Sequence, residues 1–189
     1  MAHNVGEEIV GEYLQVIRGC EFVQYNVYTR EAQGEIDVLG VSFARREVFV
    51  CEVAVHLTTG LLYVSSGKTD TVQRFLKKFN KDIDYAEKAF ADFERRYMLW
   101  SPIVRSSKPG VKYDQLKAVE EVRDQMKASR GVEIEFVINE DFASALSELR
   151  AYAADRTEEL KSPLLRLMQI EAYLARHCGR RKARSSRTA

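Results

Sequence analysis

Gly34-Glu35-Ile36-Asp37-Val38-Leu39-Gly40-Val41-Ser42, followed after Phe43-Ala44-Arg45-Arg46 by Glu47-Val48-Phe49-Val50-Cys51-Glu52-Val53-Ala54, is the stretch on which the fold turns. Both runs are rich in β-branched and aromatic residues and read as two strands, 35–41 and 47–55, with a tight connection between them. A hairpin centred on Ala44-Arg45 sets Asp37 opposite Glu52 and points both carboxylates to one face. Acidic side chains within strands of Ile, Val, Leu and Phe are costly to bury unless something compensates them, and a hard divalent cation such as Mg²⁺ does so. The plainer reading is a half-exposed sheet whose solvent face carries both carboxylates beside basic neighbours. The residues alone leave both open.

Outward from this hairpin, Val5, Ile9, Val10, Tyr13, Leu14 and Ile17 recur at helical spacing, so a helix is expected over 5–18 with Gly19 as its stop. A strand over 22–28 precedes the hairpin, and the 47–55 strand has the composition of a central one. Val72, Phe75, Leu76, Phe79, Ile83, Ala86, Phe90 and Phe93 form one apolar stripe, which predicts a long helix over 71–95 capped by Thr69 or Asp70. A strand over 97–104, a loop at Ser106-Ser107-Lys108-Pro109-Gly110, a helix over 114–130 stopped by Gly131 and a strand over 132–138 follow. Helices over 142–154 and 157–177 close the chain, the second starting or breaking near Pro163. The order is α-β-β-β-α-β-α-β-α-α. It implies an α/β domain over 1–140, a helical extension over 141–178 and a basic tail over 179–189 whose composition favours disorder.

The 189 residues, 46% apolar and 30% charged, suit a soluble globular domain with a real core. No apolar run approaches the ~20 residues of a membrane span and no secretory pattern opens the chain, so a cytoplasmic protein without membrane association is the expectation. Cys20, Cys51 and Cys178 are odd in number and widely spaced, which points to neither a disulfide framework nor a zinc site. The net charge of +1 conceals an asymmetry: Arg176, Arg180, Arg181, Lys182, Arg184 and Arg187 crowd the C-terminus, and setting those six aside leaves 23 basic against 28 acidic residues. Any nucleic-acid contact must therefore come from a local patch or from the tail.

Gly34-Glu35-Ile36-Asp37 followed by Phe49-Val50-Cys51-Glu52-Val53-Ala54 resembles the PD-(D/E)XK nuclease signature, in the variant where a G-E-I-D strand precedes an E-V-K strand. The branch it is most similar to is that of the archaeal Holliday-junction resolvases and related small bacterial nuclease-like proteins. Gly6-Glu7 followed by Tyr13-Leu14 matches the opening helix of that branch, and the similarity covers roughly the first 105 residues. The resemblance implies a restriction-endonuclease-like αβββαβ core with a mixed sheet. It also implies a Mg²⁺ or Mn²⁺ ion held by Asp37, Glu52, the Val53 carbonyl and Glu7. The departure is Ala54, which stands where the family usually has the lysine that positions the attacking water and balances charge on the phosphate. Two residues are candidates to replace it. His56 shares a face with Glu52 and Ala54 if the strand continues, and Lys68 lies in the Ser65-Ser66-Gly67-Lys68 loop. An ordinary hydrogen-bonded histidine and a solvated loop lysine are the plainer readings.

Arg74, Lys77, Lys78 and Lys81 recur at helical spacing off the apolar stripe, a row suited to phosphate contacts, though Asp82, Asp84 and Glu87 dilute it. Leu160, Leu164, Leu165, Leu167, Met168 and Leu174 give the last helices an apolar surface that either packs within the chain or docks a second subunit or protein partner. The expected function is a metal-dependent DNA endonuclease of repair, recombination or defence. The alternative is a nuclease-fold protein that has lost catalysis and serves as a nucleic-acid-binding or assembly subunit.

Overall fold

The computed structural model describes residues 4–29, 34–107 and 113–185. In chain order the elements are α1 (Val5–Val16), β1 (Phe22–Thr29), β2 (Gly34–Ser42), β3 (Glu47–Val53), β4 (Val64–Ser65), β5 (Lys68–Thr69), α2 (Thr71–Ala89), β6 (Glu94–Ser101), α3 (Gln115–Arg130), β7 (Ile134–Ile138), α4 (Glu140–Asp155) and α5 (Pro163–Ser185). This is a mixed α/β protein whose main sheet has the strand order β1-β2-β3-β6-β7. The first three strands are antiparallel and the last three parallel, so α2 and α3 are the crossovers that parallel pairing requires. No helix among the described residues is long and apolar enough to cross a membrane.

The chain divides into two compact units, Met1–Ala143 and Ser144–Ala189. In the first, β3 is central and its residues Val48 through Glu52 are all buried. One face of the sheet presents Leu39, Val41, Val48, Val50 and Leu99 to Phe75, Phe79 and Ile83 of α2 and to Val119, Val122 and Met126 of α3. The other face, with Phe49, Met98 and Trp100, meets α1, whose Tyr13 ring lies 5.2 Å from that of Trp100. A capping box opens α1: Asn4 Oδ1 accepts from the Glu7 N–H at 3.1 Å, and Glu7 Oε2 accepts from the Asn4 N–H at 3.2 Å. Gly131, with φ 66°, ends α3 in the left-handed conformation expected of a terminal glycine.

Several boundaries differ from the sequence expectation. α2 ends at Ala89 rather than near residue 95, because Phe90 and Phe93 hold the apolar spacing across a turn in which their rings meet edge to face at 5.7 Å. The next strand consequently starts at Glu94 rather than 97. Asp70 precedes α2, yet its side chain makes no capping hydrogen bond. A β4-β5 hairpin, absent from the expected element order, occupies 64–69, with positive φ at Ser66 (50°) and Gly67 (76°) as its two-residue turn needs. Lys108-Pro109-Gly110, read as loop residues, lie outside the described residues.

In the second unit, α5 runs to Ser185, past the point at Gly179 where composition favours disorder; helix propagation through Arg, Lys and Ala is inexpensive. Residues 186–189, including Arg187, lie outside the described residues, as do the side chains beyond Cys178. Gln169 Nε2 donates to Arg156 O at 3.0 Å and Glu158 O at 2.8 Å, tying α5 to the segment before it. Of the apolar residues read along this segment, Leu165 and Met168 are buried while Leu167 and Leu174 are exposed.

Candidate functional site

The β2–β3 hairpin places its first two site residues by register. Val38 pairs with Cys51 and Ser42 with Glu47, so the next rung outward carries Asp37 opposite Glu52. Alternation along a strand then puts both on the face that carries Leu39 and Val50, beneath α2. Asp37 lies at a ladder irregularity, because pairing between β1 and β2 passes from Tyr25–Val38 to Val27–Ile36 while Asn26 adopts φ 52°. Asp37 turns its carboxylate to β3, where Oδ2 accepts the Val53 N–H at 2.7 Å. Ala54 donates instead to Trp100 O at 2.9 Å, toward β6. Because successive residues of a strand direct their backbone groups to opposite sides, the Val53 carbonyl faces the Asp37 side.

α2 completes the arrangement from above. Lys78 reaches down from the helix so that its Nζ forms an ion pair with Glu52 Oε2 and lies 3.5 Å from Asp37 Oδ2. Asp82, one turn further on, is buried beside Glu52. Glu52 is only 1% exposed, and no donor reaches its Oε1; Asp82 Oδ2 is likewise buried without a donor. Glu52 and Asp37 thus share the Lys78 ammonium, with the Asp82 carboxylate beside them in a low-dielectric site, a concentration of negative charge that favours either proton uptake or a cation.

The titration behaviour has that origin. Burial raises the Glu52 carboxyl well above its ordinary value and the Asp37 charge adds to the rise, while Lys78 opposes it. Burial is also the largest cause pushing Asp82 up to about 7; the Asp37 charge adds to the rise, while the charges of Lys78 and Lys81 oppose it. For Lys78, burial acts downward, but Glu52 and Asp37 outweigh it and the ammonium is held above its usual range.

The other residues singled out from sequence fall in different places. Arg74, Lys77, Lys78 and Lys81 line one open cleft of about 670 Å³, and Asp37 and Asp82 line it too. The basic row and the acidic pair therefore share a cavity, with Glu52 beneath its surface. Glu7 does not join Asp37 and Glu52. Its carboxylate closes the α1 capping box and accepts from Asn26 Nδ2 at 3.3 Å, so it supports the irregularity opposite Asp37 from behind. His56 is displaced from the expected face because β3 stops at Val53; it is exposed, with its Nε2 3.2 Å from Tyr63 Oη. Lys68 stands exposed on β5. Ala54, where a lysine was expected, is buried in the apolar cluster under α2. The ammonium at the acidic pair comes from Lys78, a residue read from sequence only as part of a phosphate-binding row, and Asp82 was read only as a charge diluting that row. Their separation of four on α2 is the signal that places them together.

A divalent cation suits this donor set in one respect and is limited in another. Among the described residues no three acidic, histidine or cysteine side chains group as a metal-holding set. Mg²⁺, however, keeps several waters and commonly takes one or two carboxylates with substrate phosphate. Asp37 and Glu52 supply two converging carboxylates, and the donorless Glu52 Oε1 is the kind of buried acceptor such an ion satisfies. The point between them is where the Lys78 ammonium sits. No protein-family model, curated protein or solved structure matches this chain.

Proposed function

We propose that this chain is a divalent-cation-dependent DNA endonuclease with a restriction-endonuclease-like core, in which Lys78 from α2 stands in for the lysine that position 54 lacks. The observation that carries the reading is the Lys78 ammonium lodged against Glu52 and Asp37 at the floor of a cleft whose other cations are Arg74, Lys77 and Lys81. An acidic pair buried in a sheet, an ammonium beside it and a basic wall in the same cleft are the parts that phosphodiester hydrolysis uses. The order α1-β1-β2-β3-α2-β6 and the change from antiparallel to parallel pairing at β3 support the core assignment.

In this reading Asp37 and Glu52 hold Mg²⁺ or Mn²⁺, with the Val53 carbonyl as a further donor. When bound, the ion supplies Lewis-acid stabilisation of the phosphate and lowers the pKa of water. Lys78, at the edge of this site, would direct its ammonium to the phosphate and orient the attacking water. Arg74, Lys77 and Lys81 bind the strand through its phosphates and carry no sequence readout. The ion pair also favours a second reading, a non-catalytic DNA-binding subunit, because Lys78 already neutralises part of the charge that a cation would neutralise.

The test is titration calorimetry with Mn²⁺ alongside cleavage of linear, branched and single-stranded DNA by wild type, Asp37→Ala and Lys78→Met. The endonuclease reading expects cation uptake and cleavage in the wild type, loss of both in Asp37→Ala, and cation uptake without cleavage in Lys78→Met. DNA binding with neither cation uptake nor cleavage in the wild type would establish the second reading instead.

A further inference from the structure

Beside the acidic floor, four side chains meet in a way that the hydrolytic reading does not use. The Arg74 guanidinium lies 4.5 Å over the Tyr63 ring, and that ring meets His56 and Phe75 edge to face, each at 5.7 Å. Tyr63 Oη is 3.2 Å from His56 Nε2. Its backbone is fixed on both sides, since the Tyr63 N–H donates to Thr71 Oγ1 at 3.1 Å and Tyr63 O accepts the Asp70 N–H at 2.8 Å. Thr71 Oγ1 in turn donates to Leu61 O at 2.8 Å. The ring is therefore anchored to the first turn of α2, from which Arg74 itself projects.

An exposed arginine ordinarily samples many rotamers and loses that freedom when it grips an anion. Stacking on an aromatic face orders the guanidinium in advance and leaves the N–H groups along its edge free for a planar, bidentate partner. Arg74 is exposed and lines the same cleft as Lys77, Lys78 and Lys81. The phenol is in the electrostatic field of the floor as well. Burial raises it, Arg74 and Lys78 pull it down, and Asp37 and Glu52 push it up.

We propose that Tyr63 is the positioning residue of this cleft: its ring, steadied by His56, presents Arg74 as a preformed clamp for one phosphate of the bound strand. The clamp rests on the reading of the cleft as a nucleic-acid site but not on hydrolysis. Tyr63 acts through Arg74, so its effect on binding must disappear when Arg74 is absent.

The experiment is a double-mutant cycle on the full chain, with Tyr63→Leu, Arg74→Met and the pair. A short fluorescent DNA oligonucleotide is titrated at several salt concentrations without divalent cation. Tyr63→Leu is expected to weaken binding about two- to fivefold, the effect of one exposed cation–π contact. The double variant is expected to bind no more weakly than Arg74→Met, whose salt dependence should lose about 0.7–0.9 in slope, one phosphate contact. Arg74→Lys keeps the charge but not the planar stack, and is expected to bind more weakly than wild type; it tests the clamp even if Tyr63→Leu does not fold. Multiplying effects in the double variant, or Arg74→Lys binding like wild type, would overturn the clamp whether or not the protein cleaves DNA. Cleavage that is absent while the coupling is present removes the nuclease reading and leaves the clamp standing.

Discussion

Replacing Lys78 by Met removes the only cation paired with Glu52 among the described residues while keeping most of the side chain's volume. Glu52 is almost wholly buried, and Asp37 and Asp82 already act on it with the same sign. Removing one partner of a buried pair typically costs ~3–5 kcal/mol. The Lys78 side chain is 33% exposed, so solvent screens part of its interaction and about 2–3 kcal/mol is the reasonable expectation at alkaline pH. For a chain of this size that corresponds to a melting point lower by roughly 4–12 °C. The loss must depend on pH. Without Lys78 the Glu52 carboxyl rises further above its unfolded value, so over the interval between the two values the folded state binds the extra proton. Stability is then fully present below the unfolded value and is lost as pH rises through the folded one. Urea denaturation of wild type and Lys78→Met at pH 5 and pH 8, with the transition monitored at Trp100, checks this. A cost that is large at pH 8 and small at pH 5 is expected. Equal costs at the two pH values, or no cost at either, would refute the account of Glu52 as a buried carboxylate held by Lys78.

Asp82, pushed up to about 7 by burial, obeys the same sign. Asp82→Asn removes that titration and offers the donorless Glu52 Oε1 an amide N–H, so it is expected to stabilise the protein by about 1 kcal/mol at pH 8 and less at pH 5, read by the same denaturation. Asp37→Asn can still accept the Val53 N–H and should keep most of the stability, whereas Asp37→Ala also loses that buried bond, at about 1–3 kcal/mol; calorimetry should show cation binding weakened in both. Glu7→Gln is expected to lower the melting point through the α1 cap while leaving Mn²⁺ affinity unchanged, and a fall in affinity would return Glu7 to the acidic site. Gly6→Ala would drive a Cβ into Val55 Cγ2, so α1 or the Val55 side chain must shift; a loss of about 1–3 kcal/mol is expected by thermal denaturation.

Local rules in the sequence determined the hairpin at the heart of this protein. Connection length and alternation decide which residues of two adjacent strands face each other, and a turn centred on Ala44-Arg45 was enough to set Asp37 across from Glu52. The same holds for α1 and α3, whose ends carry an explicit cap or stop in Asn4-Glu7, Asp114 and Gly131. What lay outside such rules was decided by tertiary packing. Phe90 and Phe93 have helical spacing but sit in a turn, because ring pairing satisfies them as well as a helix face would. β3 stops at Val53, which takes His56 away from the face it would have shared with Glu52. The ammonium of Lys78 illustrates the limit most clearly. Periodicity places its Cα off the apolar stripe, but a long flexible side chain at a helix edge can go to solvent or to the sheet. Only the buried charge of Glu52, brought under α2 by the fold, sends it inward.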